Sequence, residues 1–102
     1  MNVCIEFDVN TSFTANNSIF RFRKNRWASI NADFDSNGLS MSTDVWHHIK
    51  FVATSSKITP FVDGVEKQYK TPNDTFDTFM IALNNGSISN MKYKNFIVYE
   101  IQ

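Results

Sequence analysis

Three features of this chain predict an all-β sandwich. Short apolar–polar alternations recur along its 102 residues, separated by Asn-, Asp-, Ser- and Gly-rich turns. No stretch combines sustained helical periodicity with helix caps. Asp63-Gly64, set between Phe61-Val62 and Val65, is a strong hairpin signal, because a type I′ turn needs positive φ at both central residues. Nearly regular short strands with turns between them read as two antiparallel sheets face to face.

The totals agree with one such domain. Hydrophobic residues make up 42% and aromatics 15%, which excludes disorder, and ten Phe imply a well-filled interior. The formal net charge is zero, so electrostatics suggest neither a nucleic-acid nor an anionic-membrane partner. A single cysteine, Cys4, precludes an intrachain disulfide. No apolar run approaches membrane-spanning length, and no signal peptide is visible. Since Met1 leads almost at once into strand-like sequence, we expect a domain excised from, or terminal in, a larger protein. Asn-x-Ser/Thr sequons occur at Asn10, Asn16, Asn73 and Asn85, and an Asn-rich composition accounts for them without invoking glycosylation.

Taken in order, Ile5, Phe7 and Val9 alternate with Cys4, Glu6 and Asp8, giving a strand with one buried face. Residues 10–17 read as a loop. Phe20 and Phe22 alternate with Arg21 and Arg23, and Ala28, Ile30, Ala32 and Phe34 alternate with Trp27, Ser29, Asn31 and Asp33. These two strands should form a hairpin. Only an odd loop keeps both apolar sets on one face, since a one-residue slip inverts every side chain. A loop of Lys24, Asn25 and Arg26 places Phe22 opposite Ala28, Phe20 opposite Ile30, and Arg23 opposite Trp27. After a turn at residues 35–38, Leu39 and Met41 should begin a short strand. Ile49, Phe51 and Ala53 point inward along the next strand, with His48 and Lys50 outward. Pro60 should place its strand at a sheet edge or carry a bulge. A loop follows at residues 70–77, then a strand with Phe79, Ile81 and Leu83, a turn at residues 84–87, and a last strand at residues 93–101. The expected core is Phe7, Phe20, Phe22, Ile30, Trp46, Ile49, Phe51, Val62, Phe79, Ile81, Phe96 and Val98.

The unit Trp46-His47-His48-Ile49, closed about a dozen residues later by Phe61-Val62-Asp63-Gly64-Val65, resembles the concanavalin A-like lectin/glucanase superfamily. The pattern is closest to its laminin-G-like and pentraxin-like jelly rolls, and Phe96-Ile97-Val98-Tyr99 is similar to their closing strand. The resemblance runs from the first strand to the last. It implies a small two-sheet antiparallel jelly roll and, through the family, a lectin-like module for carbohydrate recognition or cell adhesion. Scarce glycine, Pro60 in an aliphatic position and a short chain set this sequence apart, and none of the family's calcium ligands maps onto it.

Four constellations could carry chemistry. Glu6 and Asp8 share a strand face about 6.7 Å apart, as in glucanases that carry Glu-x-Asp-x-(x)-Glu, but Asn10 and Thr11 stand where the last Glu belongs. The pair therefore reads as solvated carboxylates, and the chain as no enzyme. His47 and His48 are adjacent on a strand and point to opposite faces, so they cannot converge on one metal ion. Asp33, Asp35 and Asn37, with Gly38 in sixth position and Asp44 in twelfth, mimic a calcium loop, although an Asx-rich connection has the same composition. No cofactor is expected. The favoured set is Arg21, Arg23, Trp27, Ser29 and Asn31 on the outward face of the first hairpin, extended by His48 and Lys50 if the strands adjoin. A Trp ring stacks on a sugar face while neighbouring donors bind its hydroxyls.

The expected function is a non-catalytic, carbohydrate-binding or adhesive module of a larger surface, secreted or virion protein. The expected partners are a cell-surface glycan and other domains or a homo-oligomer. The alternative is a structural or oligomerisation domain, as in a phage or viral fibre, without a glycan of its own.

Overall fold

The computed structural model describes residues 2–11, 19–24, 29–81 and 91–101, with the backbone alone for 29–31. The described residues contain no helix and eight strands: β1 (Val3–Thr11), β2 (Phe20–Lys24), β3 (Ser29–Phe34), β4 (His47–Ala53), β5 (Ile58–Val62), β6 (Val65–Glu66), β7 (Thr78–Ile81) and β8 (Met91–Glu100). They form a five-stranded antiparallel sheet in the order β6-β5-β4-β1-β8 and a three-stranded one in the order β3-β2-β7. The two sheets pack as layers of a sandwich-like, all-β architecture through phenylalanines on their inner faces.

Phe51 of β4 is the centre of that packing. Its ring lies 5.6 Å from Phe20, 5.3 Å from Phe22 and 5.1 Å from Phe34, all on the opposite sheet. Phe7 reaches Phe20 at 5.4 Å. Ile5, Phe7 and Val9 of β1, Ile49 and Ala53 of β4, and Ile58 and Val62 of β5 complete the inner face of the larger sheet. Tilted and edge-to-face rings suit such a core, since offset geometries are favoured over face-to-face stacking.

The Asp63-Gly64 hairpin is present. Val62 pairs with Val65, and both turn residues have positive φ, 51° and 83°. Pro60 lies neither at a sheet edge nor at a bulge: β5 is one strand in from the short β6, and the Pro60 nitrogen, which has no N–H to donate, is turned from β4. Ile58 directs both its N–H and its carbonyl to Lys70, so alternate residues of β5, Pro60 included, aim away from β4. Pro60 thus costs the β4 ladder nothing, and its carbonyl accepts from the Lys67 N–H at 2.8 Å.

The β2–β3 hairpin differs from expectation. Phe20 pairs with Phe34 and Phe22 with Ala32, a register four residues removed from the expected one. Because four is even, the apolar sets still share a face. The register shifts between Phe22 and Arg23, so Arg23 faces Ile30 and Asn31 is left without a partner, as in a β-bulge. The expected three-residue loop, Ala28 and Trp27 lie wholly or partly outside the described residues. Leu39 and Met41 are buried but form no strand, because residues 36–40 coil into turns.

Of the expected core, Phe7, Phe20, Phe22, Ile49, Phe51 and Val62 are buried, Phe79 and Ile81 are partly buried at its margin, and the side chain of Ile30 lies outside the described residues. Trp46, Phe96 and Val98 are instead exposed, by 41%, 44% and 56%. Trp46 lies an odd number of residues from Ile49 and Phe51, and so falls on the opposite face. Phe96 and Val98 do point inward, Phe96 stacking on Phe7 at 5.4 Å, but among the described residues the ring of the three-stranded sheet that reaches Phe96 is Phe79, at 6.1 Å.

Candidate functional site

The outer face of the five-stranded sheet carries a cross-strand polar row, and its registers explain the row. Glu6 lies opposite Lys50, and Asp8 opposite His48, on β4. On β8 their partners are Ile97 and Lys94, with a register shift between them. The additional residue is accommodated at Asn95, whose φ of 58° is one that Asn tolerates better than most. The bulge turns the Asn95 side chain toward β1.

His48 bridges the two carboxylates. Its Nδ1 is 2.8 Å from Asp8 Oδ1 and its Nε2 is 2.7 Å from Glu6 Oε1. The outer oxygens are held from β8: Asn95 Nδ2 donates to Asp8 Oδ2 at 2.8 Å, and the Tyr99 hydroxyl donates to Glu6 Oε2. The row therefore ties three strands together. Hydrogen bonds from Tyr99 and then His48 hold the Glu6 carboxyl below its usual range, and those from Asn95 and then His48 do the same for Asp8. The two carboxylates in turn raise the His48 imidazole, Asp8 more than Glu6. Contacts with Cys4 and with Glu6 push the Tyr99 phenol up. Glu6 and Asp8 are thus members of a network rather than the freely solvated pair that alternation alone suggested.

Trp46 stands at the end of this row with its ring exposed and the Lys94 Nζ 4.1 Å from the ring centre, within cation–π range. His48, two residues along the chain, lies on the same face and joins Trp46 to the row formed with Asp8 and Asn95. Glu6 Oε2 accepts from both the Tyr99 hydroxyl and the Cys4 thiol, while Glu6 Oε1 and the two Asp8 oxygens each hold one bond within the row and keep capacity for another. The row is therefore a pre-oriented set of acceptors and donors beside a flat aromatic surface.

His47 and His48 point to opposite faces, as expected, and the buried His47 has a structural task. Its Nδ1 lies 2.7 Å from Asp63 Oδ2 and its Nε2 lies 2.9 Å from the Ser42 carbonyl. The His48 N–H donates to Asp63 Oδ1 at 2.8 Å. The bond from His47 and then that from His48 hold the Asp63 carboxyl below its usual range. The His-His opening and the Asp-Gly close of the most family-like stretch are thus locked together by one carboxylate, which accounts for their pairing in the sequence.

The expected hairpin site is only partly assembled. Arg21 and Arg23 lie on β2 in the three-stranded sheet, whereas His48 and Lys50 lie on β4 in the other, so the latter pair cannot extend the former. Arg23 does not face Trp27. It is bound to Asp33, with Nη2 2.6 Å from Oδ2 and Nε 3.1 Å from Oδ1. Trp27 lies outside the described residues, as do the side chains of Ser29 and Asn31. The same ion pair occupies the Asp33 carboxylate of the calcium-like loop, while Asp35 Oδ1 accepts the Gly38 N–H. Asn37 and Asp44 are exposed, and the Asp44 N–H donates to the Thr11 carbonyl at 2.7 Å. Among the described residues no three His, Cys, Asp or Glu side chains are arranged to hold a metal ion.

The residues missed from sequence are Trp46, Lys94, Asn95 and Tyr99. Parity with His48 marks Trp46 as outward, a signal present in the sequence. The bulge that brings Asn95 to Asp8 leaves no mark in apolar alternation. No protein-family model, curated protein or solved structure matches this chain.

Proposed function

We propose that this chain is a non-catalytic, carbohydrate-binding module of concanavalin A-like, jelly-roll type, which presents its ligand surface on the outer face of the five-stranded sheet. One observation carries the reading: the exposed Trp46 ring, with Lys94 Nζ 4.1 Å from its centre, lies on the same sheet face as the ordered row of Asp8, His48 and Asn95. An aromatic plane with flanking polar groups matches the apolar face and hydroxyl rim of a pyranose. The nested antiparallel pairs β1·β8, β2·β7 and β4·β5 support a jelly-roll topology. The pairing of β3 with β2 and of β6 with β5 makes it an abbreviated one. A glycosidase reading is disfavoured by chemistry: hydrogen bonds from Tyr99 to Glu6 and from Asn95 to Asp8, and then from the shared His48, hold both carboxyls below their usual range, and neither is poised as the general acid that glycoside hydrolysis requires.

Binding by one stacked sugar is weak, about 4–6 kcal/mol net, so the dissociation constant falls in the high micromolar to millimolar range. The test titrates the wild type, Trp46→Ala and Trp27→Ala against a sugar panel, with thermal melts alongside. Trp46→Ala should abolish binding and move the melting temperature by no more than about 4 °C. Binding lost in Trp27→Ala but kept in Trp46→Ala moves the site to Trp27, and a wild type that binds no sugar removes the glycan reading. A second reading, a structural or oligomerisation domain of a surface or virion protein, is favoured by the exposed apolar side chains of β8. Stable oligomers without sugar binding are its signature.

A further inference from the structure

We infer that the C-terminal half of β8 is a self-association edge, and that its occupant is the same segment of a second copy of this chain. An unpaired edge strand is a template for further pairing, and proteins block edges with charges, prolines, bulges or covering segments. Among the described residues the other edges are blocked or short. The edge on the far side is the two-residue β6, and behind it Pro60 and Ile58 of β5 are bonded to Lys67 and Lys70. Lys70 Nζ donates to the Asp33 carbonyl on β3, and β7 spans four residues. The ten-residue β8 carries Lys92, Lys94 and the bulge at Asn95 in its first half and a single charge, Glu100, at its last position. Between these, Phe96, Ile97, Val98 and Tyr99 follow without a charge, each exposed by more than two-fifths.

The geometry selects the partner. The Ile101 N–H donates to the Asn2 carbonyl, so in this half of β8 odd-numbered residues aim their backbone at β1. Phe96, Val98 and Glu100 aim theirs outward. An incoming strand must therefore be antiparallel or parallel to an edge that is apolar on both faces, Phe96 and Val98 inside and Ile97 and Tyr99 outside. A second β8 meets both requirements about a two-fold axis through Val98. It sets Val98 against Val98 and Phe96 against Glu100 on the ladder, and Ile97 against Tyr99 on the outer face. Like charges never meet, and pairing stops at the bulge before the lysines do. Beneath the edge lies an apolar groove of about 280 Å³ between β7 and β8, lined by Ile5, Phe22, Phe76, Phe79, Phe96 and Val98. The axis joins the two grooves into one apolar strip and the two five-stranded sheets into one. Because it is normal to the sheet, it also puts both Trp46 rims on the same side, where paired weak sites gain by avidity. The association itself needs no ligand, so failure of the glycan reading leaves it standing.

The experiment is sedimentation equilibrium of wild type, Val98→Lys and Ile97→Lys from micromolar to millimolar concentration, with amide hydrogen exchange of Val98 over the same range. A wild-type dimer is expected. Val98→Lys, which opposes two cations on the axis, should weaken it at least about tenfold, and Ile97→Lys should weaken it with an unchanged melt. Exchange of the Val98 amide should slow as concentration rises. A wild type that stays monomeric at millimolar concentration overturns the inference, as does a dimer indifferent to both lysines or a Val98 amide whose exchange ignores concentration. Should Val98→Lys fail to fold, Ile97→Lys and the exchange data decide alone.

Discussion

β4 and β8 flank β1 on either side and carry similar inward sets, Ile49, Phe51 and Ala53 on one and Phe96 and Val98 on the other. The first set is fully buried, and the second is half exposed. The strands differ in what lies across from them. Phe20, Phe22 and Phe34 cover β4, whereas among the described residues the ring of the opposite sheet that reaches Phe96 of β8 is Phe79, at 6.1 Å, and Phe96 otherwise stacks on Phe7 of its own sheet. Alternation therefore assigns a side chain to a face, while burial depends on whether a second layer reaches that face.

The largest test of this contrast removes one ring from each strand. Phe51→Ala should cost about 3–5 kcal/mol, as buried Phe truncations do. Phe96→Ala should cost about 1–2 kcal/mol, since much of its ring already contacts water. Urea denaturation of both variants measures this, and equal losses would mean that β8 is covered in solution. Self-association through Val98 is one way that could happen, so the measurement belongs at low micromolar concentration, where a weak dimer is dissociated.

Smaller effects are expected on the outer faces. Arg23→Ala should cost about 1–2 kcal/mol, because its bidentate pair with Asp33 is largely shielded and truncation leaves the carboxylate unpaired. Asp33→Ala with the double variant closes the cycle, and a coupling near zero would show that the pair is ornamental to the β2–β3 hairpin.

The smallest expected effect concerns the row that anchors β8. The His48 pKa is raised above 6.5 in the folded chain, so its contribution is complete below that value and fades as pH rises through the higher folded one. Glu6 and Asp8 are lowered from 4.5 and 3.8, so their contributions are present above those values and are lost as pH falls through the folded ones. The anchoring of β8 is therefore strongest at about pH 4.5–6.5. The groups are partly exposed, so the loss toward neutral pH should stay below about 1 kcal/mol. Melting curves across pH check it: the wild type should decline from pH 6 to 8, and His48→Gln should not. A decline that persists in His48→Gln would assign it to another group.

Much of this molecule was legible in its sequence. Strand alternation located β1, β2, β4 and β5 and the phenylalanines that fill the sandwich, because a period of two is a local property of the chain. The Asp63-Gly64 turn followed from the positive φ that a tight hairpin demands, whereas Pro60 lies inside the sheet with its nitrogen turned from β4 rather than at the expected edge. Parity was also enough to place Trp46 outside, beside His48. Other features required the folded sheets. The β2–β3 register rests on pairing across the hairpin and contains a bulge, so the site expected at Arg23 became an ion pair with Asp33. Which strands share a sheet separated Arg21 and Arg23 from His48 and Lys50. The polar row joins residues about forty and ninety apart in the chain, and its Asn95 is delivered by a β8 bulge that alternation does not record. The exposure of Phe96 and Val98 was decided last, by what the opposing sheet brings across from them. Local pattern sets which way a side chain points; long-range strand pairing sets what it meets there.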